Sequence, residues 1–184
     1  RSRQELLKIY KEKSFYNETF YNEANAGDDV AFCNVGSDFA MNHHFREAFE
    51  CWKNIELKKI PEVYNNLGVS YFYGNGVVLN YKKALEYYRL SASLSNDFGI
   101  YNVGVCYELG VGGISKDIPQ AIENFKLAAS LGNKEAVKSL IRLQGYYDGG
   151  FLQNDTPYFM GTSQCEIESG TNYEYELIRL KNIN

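Results

Sequence analysis

Histidine and proline are scarce in this chain, and long apolar runs are missing. Its only histidines are the adjacent His43 and His44, and none of its four cysteines (Cys33, Cys51, Cys106, Cys165) forms a C-x-x-C pair. A structural zinc site needs converging Cys and His ligands at set spacings, so neither a metal site nor a bound cofactor is expected. No apolar stretch approaches the roughly 18 residues that a membrane span requires, so membrane insertion is not expected either. Positive charge is not in excess: 19 Lys and Arg stand against 23 Asp and Glu, a net charge of -4. Such a balance gives no general attraction to nucleic acid or to an anionic bilayer. The N-terminus lacks both an initiator Met and an apolar signal core, and the chain is expected to be a processed product or part of a larger one. An even number of cysteines allows disulfides, but a buried free cysteine is equally at home in a core.

What the chain does have is 45% hydrophobic residues, enough for a core, and a repeat. Leu67-Gly68, Tyr71, Gly74-x-Gly76, Lys83-Ala84, Tyr87-Tyr88 and Ala92 recur as Val103-Gly104, Tyr107, Gly110-x-Gly112, Gln120-Ala121, Phe125 and Ala128-Ala129. The first landmarks are 36 positions apart and Ala84 to Ala121 is 37, so one residue is inserted after the double-glycine turn. Self-similarity of this period is the signature of stacked helical hairpins. An earlier unit at 29–60 carries Val35-Gly36, Phe39, Ala48 and Trp52. It lacks the glycine extension and makes its turn with Met41-Asn42-His43-His44. Small residues at 36, 68 and 104 face small residues at 48, 84 and 121, which lets two helices approach closely. The aromatics one turn away fill the space between units.

The fold expected is all-α, an α-α superhelix of about three to four hairpin repeats with an irregular C-terminal tail. The array is expected over 1–150. A single second helix at 3–26 opens it, its first helix missing, because Phe20-x-x-x-Ala24-x-x-Gly27 matches Phe125-x-x-x-Ala129-x-x-Gly132. Units at 29–60, 61–96 and 97–133 follow. A degenerate unit at 134–150 has Ile141 where the repeat glycine belongs. Residues 151–184 form the non-repeat tail, within which Thr171-x-x-Glu174 fits a capping box and 171–182 fits a helix or a short strand.

These residues resemble the Sel1-like repeat family, the glycine-extended relative of tetratricopeptide repeats. The resemblance rests on L-G-x-x-Y-x-x-G-x-G-V at 67–77 and K-A-x-x-Y-Y at 83–88, with the same order at 103–112 and 120–129. It covers about residues 15–147. The 29–60 unit, with its shorter turn, is closer to a plain tetratricopeptide repeat. Some secreted members pin each unit with a disulfide, but the cysteines here do not recur in register. The resemblance implies a scaffold or adaptor without catalytic residues.

The residues themselves lead to the same place. No nucleophile constellation or paired-carboxylate site stands out. Gly74-x-Gly76 and Gly110-x-Gly112-Gly113 complete no nucleotide-binding motif and recur at one repeat position, so they read as turns. His43-His44 reads as a solvated turn, and the run Glu47, Glu50, Lys53, Glu56 as an exposed face. If the first helices line a concave face, its partner-facing residues are Glu62, Asn65, Val69, Phe72, Tyr73, Phe98, Tyr101, Val105 and Glu108. Such a face suits an extended or helical segment of a protein partner, with Asn65 serving its main chain. Either a partner or the tail at 151–184 would cover it. The function expected is a non-enzymatic interaction scaffold, as a member of a multi-subunit complex, in an intracellular setting. A regulatory segment of a larger enzyme and a secreted or lumenal binding protein are the alternatives.

Overall fold

The structure is a computed structural model that describes residues 1–56, 58 and 60–149, with side chains as far as Leu143. Within these residues the secondary structure is nine α-helices: α1 (Arg3–Lys11), α2 (Glu18–Asn25), α3 (Asp29–Met41), α4 (Phe45–Lys53), α5 (Pro61–Tyr73), α6 (Tyr81–Ser93), α7 (Asp97–Leu109), α8 (Ile118–Ser130) and α9 (Lys134–Gly149). Asparagine and aspartate start most of them. The side chains of Asn17, Asp28, Asn80, Asn96, Asp117 and Asn133 each accept a backbone N–H three residues on, satisfying a donor the helix cannot. α5 starts instead on Pro61, whose ring fixes φ at a helical value. α5 and α7 end on Gly74 and Gly110, at φ 67° and 68°, a left-handed conformation that L side chains rarely adopt.

Helices pack in chain order, α3 with α4, α5 with α6 and α7 with α8 as hairpins, each stacked on the next. This is the all-α solenoid. The hairpins close because glycine faces an aromatic ring. A methyl group at Gly36 would lie 2.6 Å from Nε1 of Trp52, at Gly68 2.6 Å from the Tyr88 ring, and at Gly104 2.8 Å from the Phe125 ring. These three rings are buried, and packing of this density is what gives each hairpin its fixed spacing. Ser91, where the next unit has Ala128, donates to the carbonyl of Pro61 at 3.0 Å and so ties α6 to the start of α5.

The loop glycines have a second use. A Cβ on Gly76 would lie 2.3 Å from the carbonyl oxygen of Phe45, and one on Gly112 would lie 2.9 Å from Cβ of Leu85. Each glycine loop therefore lies against the first turn of the preceding unit's second helix. That position leaves them as turn and packing devices, and the phosphate-loop alternative has no geometry to support it.

The single helix expected over 3–26 is corrected to two. α1 ends at Glu12, and Asn17 opens α2 by accepting the N–H of Phe20 at 2.9 Å. Between them Phe15 and Tyr16 turn inward against Tyr10, with ring centroids 6.2 and 5.7 Å apart. The apolar stripe is continuous in sequence because both helices face one core, so spacing alone did not reveal the break. α1 also supplies the helix before α2 that was thought missing. Its Tyr10 hydroxyl donates to buried Asp38 at 2.6 Å, and Arg3 lies 4.3 Å over the Phe32 ring and pairs with Asp29. Arg1 reaches Glu47 and Glu50 at 3.3 and 2.7 Å, so part of the expected exposed charge face holds the N-terminus. His43, at φ 63°, and His44 form the α3–α4 turn, with the His44 ring 5.5 Å from Phe15. The degenerate unit is represented by α9 alone. The tail at 151–184, the helix or strand at 171–182, and Cys165 lie outside the described residues.

Candidate partner-binding layer

The expected partner-facing residues sit on two first helices, Glu62 to Tyr73 on α5 and Phe98 to Glu108 on α7. The two helices touch each other, so the structure does bring the nine residues onto adjoining elements. It does not leave them equally accessible. Asn65, Val69, Phe72, Tyr101, Val105 and Glu108 are buried, while Glu62, Tyr73 and Phe98 are partly exposed. Val69 and Val105 are apolar and enclosed, which makes them packing residues. Phe72 is boxed in by the rings of Tyr73, Tyr81 and Tyr88, at 5.2, 4.9 and 6.2 Å between centroids. Tyr101 packs on Phe125 at 5.4 Å.

A polar seam runs through this layer. Asn66 donates its amide to Sγ of Cys33 at 3.8 Å, linking α5 to α3. Asn102 donates to Oδ1 of Asn65 at 2.8 Å, linking α7 to α5. Arg142 donates to Glu108 at 2.7 Å, and Asn133 to Asp97 at 3.0 Å, both linking α9 to α7. Buried polar groups that bond across elements fix one register between units, since any slip would strand them. Two amide atoms keep unused capacity: Nδ2 of Asn65 and Oδ1 of Asn66 are buried and have no hydrogen-bond partner among the described residues.

Apart from Asn65 and Glu108, the sequence reading missed this seam. The signal was present, because N-x-G recurs at 34–36, 66–68 and 102–104, with the asparagine two positions before the packing glycine each time. Beside the seam the thiols are inert. Cys33, Cys51 and Cys106 are unpaired and buried, and burial pushes all three thiols up, Cys106 to about 12. A thiol held neutral is neither a nucleophile nor a metal ligand.

Comparison with known proteins fits this architecture. The family model described as Sel1 repeat matches residues 61–96 and 98–133. Among curated proteins, DAP3-binding cell death enhancer 1 of Rattus norvegicus is 31% identical over 62 residues, 34% of this chain and 12% of that protein. The chain thus corresponds to a small part of that relative. Among solved structures, a protective antigen of uropathogenic Escherichia coli displaying an SLR fold is 26% identical, with a TM-score of 0.60 over 78% of this chain and 34% of that one. A Sel1 repeat protein from Oxalobacter formigenes is 25% identical, with a TM-score of 0.55 over 60% and 45% of the two chains. Cysteine rich protein B of Helicobacter pylori, at 21% identity and a TM-score of 0.51 over 70% and 98%, shares the fold. Repeats of this kind are in general interaction scaffolds for proteins, and typically not enzymes. No described helix is long and apolar enough to cross a membrane. Residues 61–96 and 98–133 of the chain are thus two Sel1 repeats, stacked as in solved structures of this fold.

Proposed function

We propose that this chain is a non-enzymatic scaffold that holds a segment of a protein partner across its first helices, as one member of a larger assembly. The observation that carries the proposal is the partly exposed trio Glu62, Tyr73 and Phe98, set on the two helices whose buried residues are aromatic and amide-rich. Aromatic side chains with a rigid floor are the usual anchors of an interface. The rat relative's name states that it binds DAP3, which agrees with a protein as the ligand class. Three unpaired thiols among the described residues support a reducing, intracellular setting.

The test is recovery of partners by the wild-type chain and by a variant carrying Glu62→Ala, Tyr73→Ala and Phe98→Ala. Loss of two anchor contacts at about 1 kcal/mol or more each lowers recovery by roughly tenfold or more. Melting is followed in parallel. Undiminished recovery by a folded triple variant would remove these helices from the binding role.

A further inference from the structure

The glycine loop between α5 and α6 has a chemistry that the loop between α7 and α8 lacks. Asn75 and Gly76 form the one Asn-Gly step in the chain, and Val111 stands at the matching place before Gly112. An asparagine side chain is open to attack by the backbone nitrogen of the next residue. Glycine hinders that attack least, because no Cβ stands beside its nitrogen and its backbone turns freely.

The structure leaves both reacting groups available. Asn75 is partly exposed and Gly76 is exposed, so water and hydroxide reach the step. The Asn75 N–H is anchored to the carbonyl of Ser70 at 2.9 Å. The Gly76 N–H, whose nitrogen is the nucleophile, has no acceptor among the described residues. In a helix or a strand ladder that N–H would be held by a carbonyl.

We propose that Asn75-Gly76 is a site of spontaneous covalent modification, whose conversion to isoaspartate uncouples α4 from the α5–α6 hairpin. The Gly76 nitrogen bonds to Cγ of Asn75, its proton passes to solvent base, and the side-chain amide leaves as ammonia. Water then opens the cyclic imide. When the bond from nitrogen to the main-chain carbonyl carbon breaks, Gly76 stays attached through Cγ. The backbone is then one methylene longer, and the former main-chain carbonyl is a free carboxylate. No electrons are gained or lost.

The fold has no room for the extra methylene. The loop is fixed at one end by the Gly74 cap and at the other by the Asn80 N–H, which donates to the carbonyl of Tyr71 at 2.8 Å. Between these ends Gly76 lies against the Phe45 carbonyl and the Arg46 nitrogen, so closely that a single Cβ would overlap them. A longer backbone must swing Gly76 off the first turn of α4, and the contact between the two units goes with it. Gly112 packs against Leu85 in the next unit, but Val111 gives that loop no amide to react. The α7–α8 loop is therefore an internal control.

The test holds the full chain at pH 8 and maps conversion by electron-transfer mass spectrometry, which separates isoaspartate from aspartate. Asn75 is expected to convert before the other asparagines, mainly to isoaspartate, and faster at higher pH. Hydrogen exchange of the converted chain should rise in α4 and α5 and stay unchanged in α7 and α8. Asn75→Asp adds the same charge to a backbone of normal length, and it should exchange like the wild type. Conversion that occurs only in denaturant, or no faster at Asn75 than elsewhere, would overturn the site. A converted chain that exchanges like the Asn75→Asp variant would overturn the uncoupling.

Discussion

A methyl group at position 68 would meet the Tyr88 ring at 2.6 Å, so the smallest possible substitution tests how the hairpin closes. In an open helix, Gly→Ala gains up to about 1 kcal/mol of helix propensity. At Gly68 the overlap reverses the sign, and a net loss of about 1–3 kcal/mol is expected in denaturant unfolding. An unchanged or higher stability would mean that the ring can move aside. The thiols give a second test at this scale. Burial raises Cys33, Cys51 and Cys106, so each is held neutral in the folded state. Their contribution to stability is whole below the ordinary thiol value of about 8.5. It declines as pH rises through the range up to about 12 where Cys106 ionises. In a Cys165→Ser variant, a thiol reagent at pH 8 should find no fast-reacting group until the protein is unfolded. Rapid reaction of even one thiol would place it at the surface.

At the scale of elements, the glycine loop is what couples one hairpin to the next. Gly76 lies at φ 76° with the Phe45 carbonyl where its Cβ would be, so Gly76→Ala strains the loop and pushes α4 away. A loss of about 1–3 kcal/mol is expected, with hydrogen exchange rising in both α4 and α5. A rise confined to the loop would show that it does not carry the coupling. Much of this architecture could be read directly, because the glycine, alanine and aromatic landmarks are packing contacts that recur every 36 or 37 positions. Two things could not. The break at 12–17 is hidden because α1 and α2 share one core and so continue one apolar stripe. The burial of Asn65, Val69 and Val105 depends on how closely neighbouring units stack, which no single helix's periodicity reports. The N-x-G recurrence was legible and points to the seam, but only the structure shows which asparagine meets which.

Across the whole molecule the first helices and second helices do different work. The second helices bring the rings that lock each hairpin, and the first helices carry the amide seam, the Glu108–Arg142 pair and the partly exposed Glu62, Tyr73 and Phe98. A scaffold that grips its partner through the first helices should therefore change its exchange behaviour on that layer when loaded. The most direct measurement is hydrogen exchange of the chain alone and in complex with a co-purified partner, resolved helix by helix. Protection concentrated in α5 and α7, with α6 and α8 little changed, is the result predicted. Protection confined to α6 and α8, with α5 and α7 unaltered, would contradict it.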